Sequence, residues 1–204
     1  MKAINLFNHW VELGKDDGME VNHSPSVNHM LGLIPEKMLE SKFSFLDIGC
    51  GNGWVVQKIN SFKNCIRSVG VDGAEKMIKK AILKDKKSEY LVLDINKIKD
   101  YHETFDIVFS MEVLYYLNNP QKTINYIFNN LLNKNGIFLM GIDHYLENKE
   151  SLSWAQDLNV HMHTYSISQW EMILEDAGFS DISCFQFGKQ KDWAGTLILS
   201  GTKL

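Results

Sequence analysis

Phe45-Leu46-Asp47-Ile48-Gly49-Cys50-Gly51-Asn52-Gly53-Trp54 is the stretch that decides the fold. An apolar run ends in glycines at 49, 51 and 53, and a helical pattern follows over 54–59. That order predicts a buried strand, a tight loop and a helix. Glycines let the backbone turn sharply and let a ligand approach with no Cβ in the way. In an α/β sheet such a loop lies at the carboxyl end of a strand, where ligands bind. The dinucleotide fingerprint GxGxxG/A is not met. From Gly49 its third position falls on Trp54, and from Gly51 on Val56. Asp47 stands just ahead of the loop, where a carboxylate would oppose a pyrophosphate. The loop therefore suits a ligand without phosphates and with positive charge.

Two further acids follow. Ser68-Val69-Gly70-Val71-Asp72-Gly73 ends a second strand on Asp72. That is about twenty residues past the glycine loop, the spacing at which an acid accepts ribose hydroxyls. Leu91-Val92-Leu93-Asp94-Ile95 ends a third strand on Asp94, within reach of an adenine amino group. Asp47, Asp72 and Asp94 end successive strands and so converge on one crevice.

The remaining pattern continues this alternation. Strands are predicted over 43–48, 66–71, 90–93, 105–109 and 137–140, with helices over 74–83 and 123–132, the last ending before Asn135-Gly136. Alternating strands and helices imply a largely parallel sheet covered on both faces. A helix over 168–177, closed by Gly178, precedes strands over 182–187 and 193–199 with no helix between them. Those two predict an antiparallel edge. Residues 1–42 read as a helical preface: Ile4, Phe7, Trp10 and Val11 recur at helical spacing, residues 14–18 form a loop, and Ser24-Pro25 opens a helix to about Leu33. A long segment rich in His, Trp and Tyr lies between Asp143 and Tyr165, and such segments tend to be functional.

The chain has 204 residues, 45% of them hydrophobic and 23% charged, with a net charge of −4. One domain with a small lid is expected, not two. The acidic balance does not favour a nucleic-acid partner. Three widely spaced cysteines without metal-ligand spacing predict neither a disulfide framework nor a metal site, and fit a reducing, cytoplasmic setting. The first residues carry no long apolar run, so neither an export signal nor a membrane span is expected.

The motifs together resemble those of the class I S-adenosylmethionine-dependent methyltransferases of small-molecule type. LDIGCGNG (46–53) looks like the first motif, VGVDGAEKMI (69–78) the second and LVLDI (91–95) the third. FDIVFSMEVLYYLNNP (105–120) resembles the fourth-strand segment, and LNKNGIFLMG (132–141) the turn into the fifth strand. The resemblance implies a doubly wound, seven-stranded, mostly parallel sheet with an antiparallel last strand. It implies a helical N-terminal lid (1–42), a methyltransferase domain (43–204) and a substrate-side insert (143–167). The implied cofactor is S-adenosylmethionine, the product S-adenosylhomocysteine. Gly49, Gly51 and Gly53 would border the methionine part and ribose, beside Asp47. Asp72 would take the ribose hydroxyls. Gly73 and Met77 would lie near the adenine, Asp94 and Ile95 would hold its edge and face, and Ser110 and Met111 would pass below.

The acceptor is expected above the ends of the fourth and fifth strands. Glu112, His144 and Tyr116 are the catalytic candidates, with His144 the possible general base. Trp10, His23, Tyr115, Asp143, Tyr145, Trp154, His161 and His163 are the substrate-binding candidates. Trp10, like Trp170, also reads as core. Aromatic faces beside acids suit an amine or another polar small molecule, and neutral rings as well. Trp10, Gly14, Gly18-Met19, Ser26 and Met30 resemble a preface found in a subgroup of small-molecule methyltransferases. A protein methyltransferase and a non-catalytic S-adenosylmethionine-binding module are the alternatives. The expected acceptor is a small molecule, with no nucleic acid or membrane partner, for a monomer or homodimer.

Overall fold

Alternation along each central strand sends apolar side chains to both faces, so helices must cover both. The computed structural model describes residues 2–204. Three helices lead: α1 (Ala3–Glu12), α2 (Asp17–Leu31) and α3 (Glu36–Glu40). There follow β1 (Phe43–Ile48), α4 (Trp54–Asn60), β2 (Cys65–Asp72), α5 (Glu75–Lys84), β3 (Glu89–Val92), β4 (Phe105–Met111) and α6 (Pro120–Tyr126). The second half adds β5 (Leu132–Ile142), α7 (Trp154–Asp157), α8 (Ile167–Ala177), β6 (Ser180–Phe187) and β7 (Thr196–Thr202). The sheet order is β3-β2-β1-β4-β5-β7-β6. β1 to β5 pair in parallel, and β7 runs antiparallel to both β5 and β6.

On one face Phe43, Phe45, Ile107, Phe109, Leu139 and Ile198 pack with Val27, Met30, Val55 and Ile59 of α2 and α4. On the other, Leu46, Ile48, Val108, Phe138, Met140 and Leu199 pack with Ile124, Trp170 and Leu174 of α6 and α8. Trp170 is fully buried, as its reading as core expects. From β1 the chain steps outward to β2 and β3, then crosses back to β4 on the other side of β1. That switch point opens a crevice at the carboxyl ends of the strands.

Two expectations shift. α2 begins at Asp17 and carries Pro25 in its interior instead of starting there. Proline removes one helical N–H. The carbonyl that loses its partner is on Val21, which faces solvent, and burial of Val27 and Met30 holds the helix together. β5 starts at Leu132, ahead of Asn135-Gly136. The chain end secures that pair, with Asn135 N–H donating to the Lys203 carbonyl and Lys203 N–H to that of Gly136. As expected, the two terminal strands form the antiparallel edge: β7 lies between β5 and β6, with Leu197, Ile198 and Leu199 buried. α8 is as expected: Ser166 and Gln169 form a reciprocal capping box, and Gly178 closes the helix at φ 102°.

Candidate active site

The loop after β1 is wound through positive φ at Gly49 (79°), Gly51 (53°) and Gly53 (81°), a region that excludes most side chains. A Cβ on Gly49 would stand 2.1 Å from Cγ2 of Val113, so the segment after β4 seats directly on this glycine. A Cβ on Gly51 would meet only the Met19 methyl, at 3.7 Å. That residue leaves a cradle open to the cavity. Asp72, at the end of β2, accepts the Gly51 N–H at 2.9 Å and the Ala74 N–H at 2.7 Å. Burial raises its pKa against these two hydrogen bonds. Burial and the Asp72 charge push the Asp47 carboxyl well above the usual range.

A cavity of about 620 Å³ opens over these strand ends. Gly49, Gly51, Asp72, Gly73, Met77, Asp94 and Ile95 line its β1–β3 half. Met111, Glu112, Tyr115 and Tyr116 line its β4 half. Trp10 and His23 from the preface and Trp154 and His161 from the insert complete the walls. Asp47 lies in an adjoining recess with Gly49, Asn52, Met111 and Glu112.

Glu112 has the most constrained geometry. Its backbone sits at φ 60°, uncommon for a non-glycine residue. Its carboxyl accepts the Tyr115 hydroxyl at 2.7 Å and the backbone N–H of Asp143. Burial and the neighbouring Asp143 carboxyl raise its pKa far above the ordinary glutamate value. Asp143 is also raised by burial, and His23 Nδ1 stands 3.8 Å from its Oδ2. Burial lowers the His23 pKa, against the pull of Asp143. Burial raises both the Tyr115 and Tyr116 hydroxyls.

Besides Asp47 in its recess, six expected site residues do not line the cavity. His144 is fully buried; Nδ1 pairs with the Ser151 carbonyl and Nε2 with Thr164 Oγ1, each at 2.9 Å. Both nitrogens are engaged, so it is no free base. Tyr145 is fully buried and donates to the Gly195 carbonyl. Ser110 Oγ donates to the Ile48 carbonyl, bracing β4 on β1. His163 points to the Asn118 carbonyl and stacks on Tyr165. Gly53 caps α4, its face filled by Tyr90 and Ala81. Asp143 acts from behind Glu112 and beside His23.

Other lining residues went unread in the sequence. In the sequence Ile4 and Phe7 read only as an apolar helical stripe, yet Ile4 fills the place of a Gly73 side chain, 2.7 Å from its would-be Cβ. Phe7 packs edge-on against Tyr116 at 5.4 Å. α1 is tied to α5 by a Glu12–Lys76 ion pair and by the Lys76 N–H, which donates to Asn8 at 2.9 Å. Asn96 carried one usable signal, its place directly after Asp94-Ile95.

Comparison with known proteins agrees with this geometry. The sequence model of the methyltransferase-domain family matches residues 24–183. No curated protein matches the chain. Among solved structures, a chain from the complex of the Haloferax volcanii Trm112 methyltransferase activator with a methyltransferase superposes with a TM-score of 0.84. It is 24% identical, with 96% of each chain covered. A Thermotoga maritima S-adenosylmethionine-dependent methyltransferase, described as a possible histamine N-methyltransferase, gives 0.74 at 16% identity, covering 98% and 99%. A Mesorhizobium loti S-adenosylmethionine-dependent methyltransferase gives 0.70 at 17%, covering 89% and 97%. These likenesses establish the fold.

Proposed function

This chain belongs to the methyltransferase-domain family and has the class I fold, and from that premise we propose that it moves a methyl group from S-adenosylmethionine to a small-molecule acceptor. The residues present suit this cofactor. Gly51 leaves a cradle against which a ligand can lie, and Asp72 keeps lone pairs free beyond its two backbone hydrogen bonds. Asp72 would accept the ribose hydroxyls. Gly73, Met77, Asp94 and Ile95 would hold the adenine, and Asp47, Gly49 and Met111 the methionine part. When bound, the cofactor supplies a methyl group on a positively charged sulfur that leaves neutral. The chain has to align the acceptor, exclude water and manage one proton.

The β4 half of the cavity serves the acceptor. Glu112 and Tyr116 are the proposed catalytic residues, with Tyr115, His23, Trp154 and His161 as the acceptor's walls. Ser110 and Asp143 support them from behind. The observation that carries the small-molecule reading is the roof: α1 and the insert cover the strand ends, so the acceptor must fit the part of a cavity of about 620 Å³ that the cofactor leaves. α1 and the first turns of α2 form the cover in this reading, with the insert (143–167) opposite. The second half of α2 belongs to the core. No helix among the described residues is long and apolar enough to cross a membrane, and the net charge of −4 opposes a nucleic-acid acceptor.

Calorimetric titration with S-adenosylmethionine, S-adenosylhomocysteine and NAD tests the reading. Affinity of about micromolar order for the first two and none for NAD is expected. A folded sample that binds neither sulfur ligand overturns it.

A further inference from the structure

We propose that the acceptor is an amine on an apolar or aromatic body, recognised by Glu112 at the end of β4. This inference rests on the methyltransferase reading and narrows it. Glu112 emerges from β4 in the left-handed region and its N–H is tied to the Gly141 carbonyl at 2.9 Å. Such conformations persist only where the surroundings over-determine them. The fixed backbone turns a carboxyl into the cavity. Each oxygen already accepts one hydrogen bond, from Tyr115 and from Asp143, and each retains acceptor capacity.

The charge around it is one-sided. Asp143 stands directly behind, and His23 is the titratable base beside that pair. Burial disfavours the charged form of His23. Lys2 and Lys15 also line the cavity, but both are exposed. The walls next to Glu112 are aromatic. The Tyr115 and Tyr116 rings lie 4.4 Å apart, Phe7 meets Tyr116 edge-on at 5.4 Å, and Trp10 meets Phe7 at 5.2 Å. Carboxyls framed by aromatic rings favour a bound cation.

Reactivity selects the same class. Thiols, phenols and carboxylic acids attack as anions, which the ionised Glu112 carboxylate repels. An amine attacks as a neutral molecule and arrives as a cation. The ammonium first passes a proton to the Glu112 carboxylate. The freed nitrogen lone pair then forms the N–C bond to the methyl carbon. The C–S bond breaks with its electron pair going to sulfur, which leaves neutral, and the positive charge ends on the methylated nitrogen. Burial that raises the Glu112 carboxyl makes it a better proton acceptor.

The test is titration of the protein, saturated with S-adenosylhomocysteine, with a panel of benzylamine, 2-phenylethylamine, tryptamine and hexylamine. Each amine is paired with its alcohol, thiol and carboxylate counterpart. At least one amine should bind about tenfold or more tighter than its counterparts, the worth of a charge-assisted hydrogen bond. Glu112→Gln should erase that preference while retaining S-adenosylhomocysteine binding, which reports its folding. If Glu112→Gln does not fold, the wild-type selectivity decides alone. Binding of a counterpart as tight as its amine, or no amine binding, overturns the inference. Failure to bind S-adenosylhomocysteine overturns the underlying methyltransferase reading instead.

Discussion

The Gly51 N–H donates to Asp72 Oδ2 at 2.9 Å, joining the glycine loop to an acid 21 residues further on. The loop after β1 and the end of β2 are thereby one unit, and the carboxylate is aimed before any ligand arrives. Asp72→Ala should weaken S-adenosylhomocysteine binding by about 1.5–3 kcal/mol, the worth of hydrogen bonds to a charged group. Calorimetry reads this as a roughly 10- to 150-fold rise in Kd. Unchanged affinity would move the ribose elsewhere.

Gly49 holds φ 79° with Val113 pressed against it. Gly49→Ala should cost roughly 1–3 kcal/mol of stability from backbone strain, plus the displacement of Val113. Adding Val113→Ala should recover the steric part and leave the strain, a coupling visible in a double-mutant cycle by denaturant unfolding. Additive losses would show that the two residues do not share the space.

The buried carboxyls set the pH dependence of the ligand-free protein. Asp47, Asp72, Glu112 and Asp143 all have raised folded pKa values. The folded state holds their protons more tightly than the unfolded chain, whose carboxyls titrate near 4. Their stabilising contribution is full below about pH 4 and lost as pH rises through the raised values. His23 and His144 act oppositely, having lowered values; their contribution is full above about pH 6.5 and fades as pH falls through those values. Asp47→Asn should therefore melt higher than wild type at pH 8, with the gap closing toward pH 4.5. Scanning calorimetry across that range checks it, and parallel curves would contradict it.

His144→Ala separates structure from chemistry. It removes two buried hydrogen bonds and should cost about 2–4 kcal/mol of stability. The folded fraction should keep its turnover. A variant with native stability and lost turnover would return His144 to catalysis.

Lys80 ties the cover to the body through 2.7 Å contacts to Asp16 and Asp17. Asp16 is fully buried, its remaining side-chain partner among the described residues being Asn52 of the glycine loop. Lys80→Met should loosen the α1–α2 turn and speed S-adenosylhomocysteine release by roughly tenfold, the effect of about 1.4 kcal/mol. Stopped-flow fluorescence, with Trp10 and Trp54 near the site, reads the rate.

Much of the sheet was legible because its signals are local. Residues 43–59 encode strand, loop and helix in one run; Asp72 ends β2 and Asp94 follows β3 by two residues, each marked by the apolar run before it. The helix through Pro25 was not legible, since proline and glycine argue locally against it and only the burial of Val27 and Met30 overrides them. Ile4 and Phe7 looked like any apolar stripe; that they meet Gly73 and Tyr116 depends on where α1 lands. His144 and Asp143 are neighbours in sequence, and nothing local shows that Asp143 would stand beside Glu112 and His23 while His144 pairs with Ser151 and Thr164.

The sequence by itself determined the sheet, the glycine loop and the acids at its strand ends, because strand alternation, glycine spacing and chain order act over short distances. Only the tertiary structure decided which of the side chains after β4 and β5 work together. Glu112 reaches the cavity because Gly141 of β5 and Asp143 just after it hold its backbone and carboxyl. His144 is withdrawn because Ser151 and Thr164 claim both its nitrogens. Those partners come from other elements, and their meeting is a property of packing that no local pattern carries.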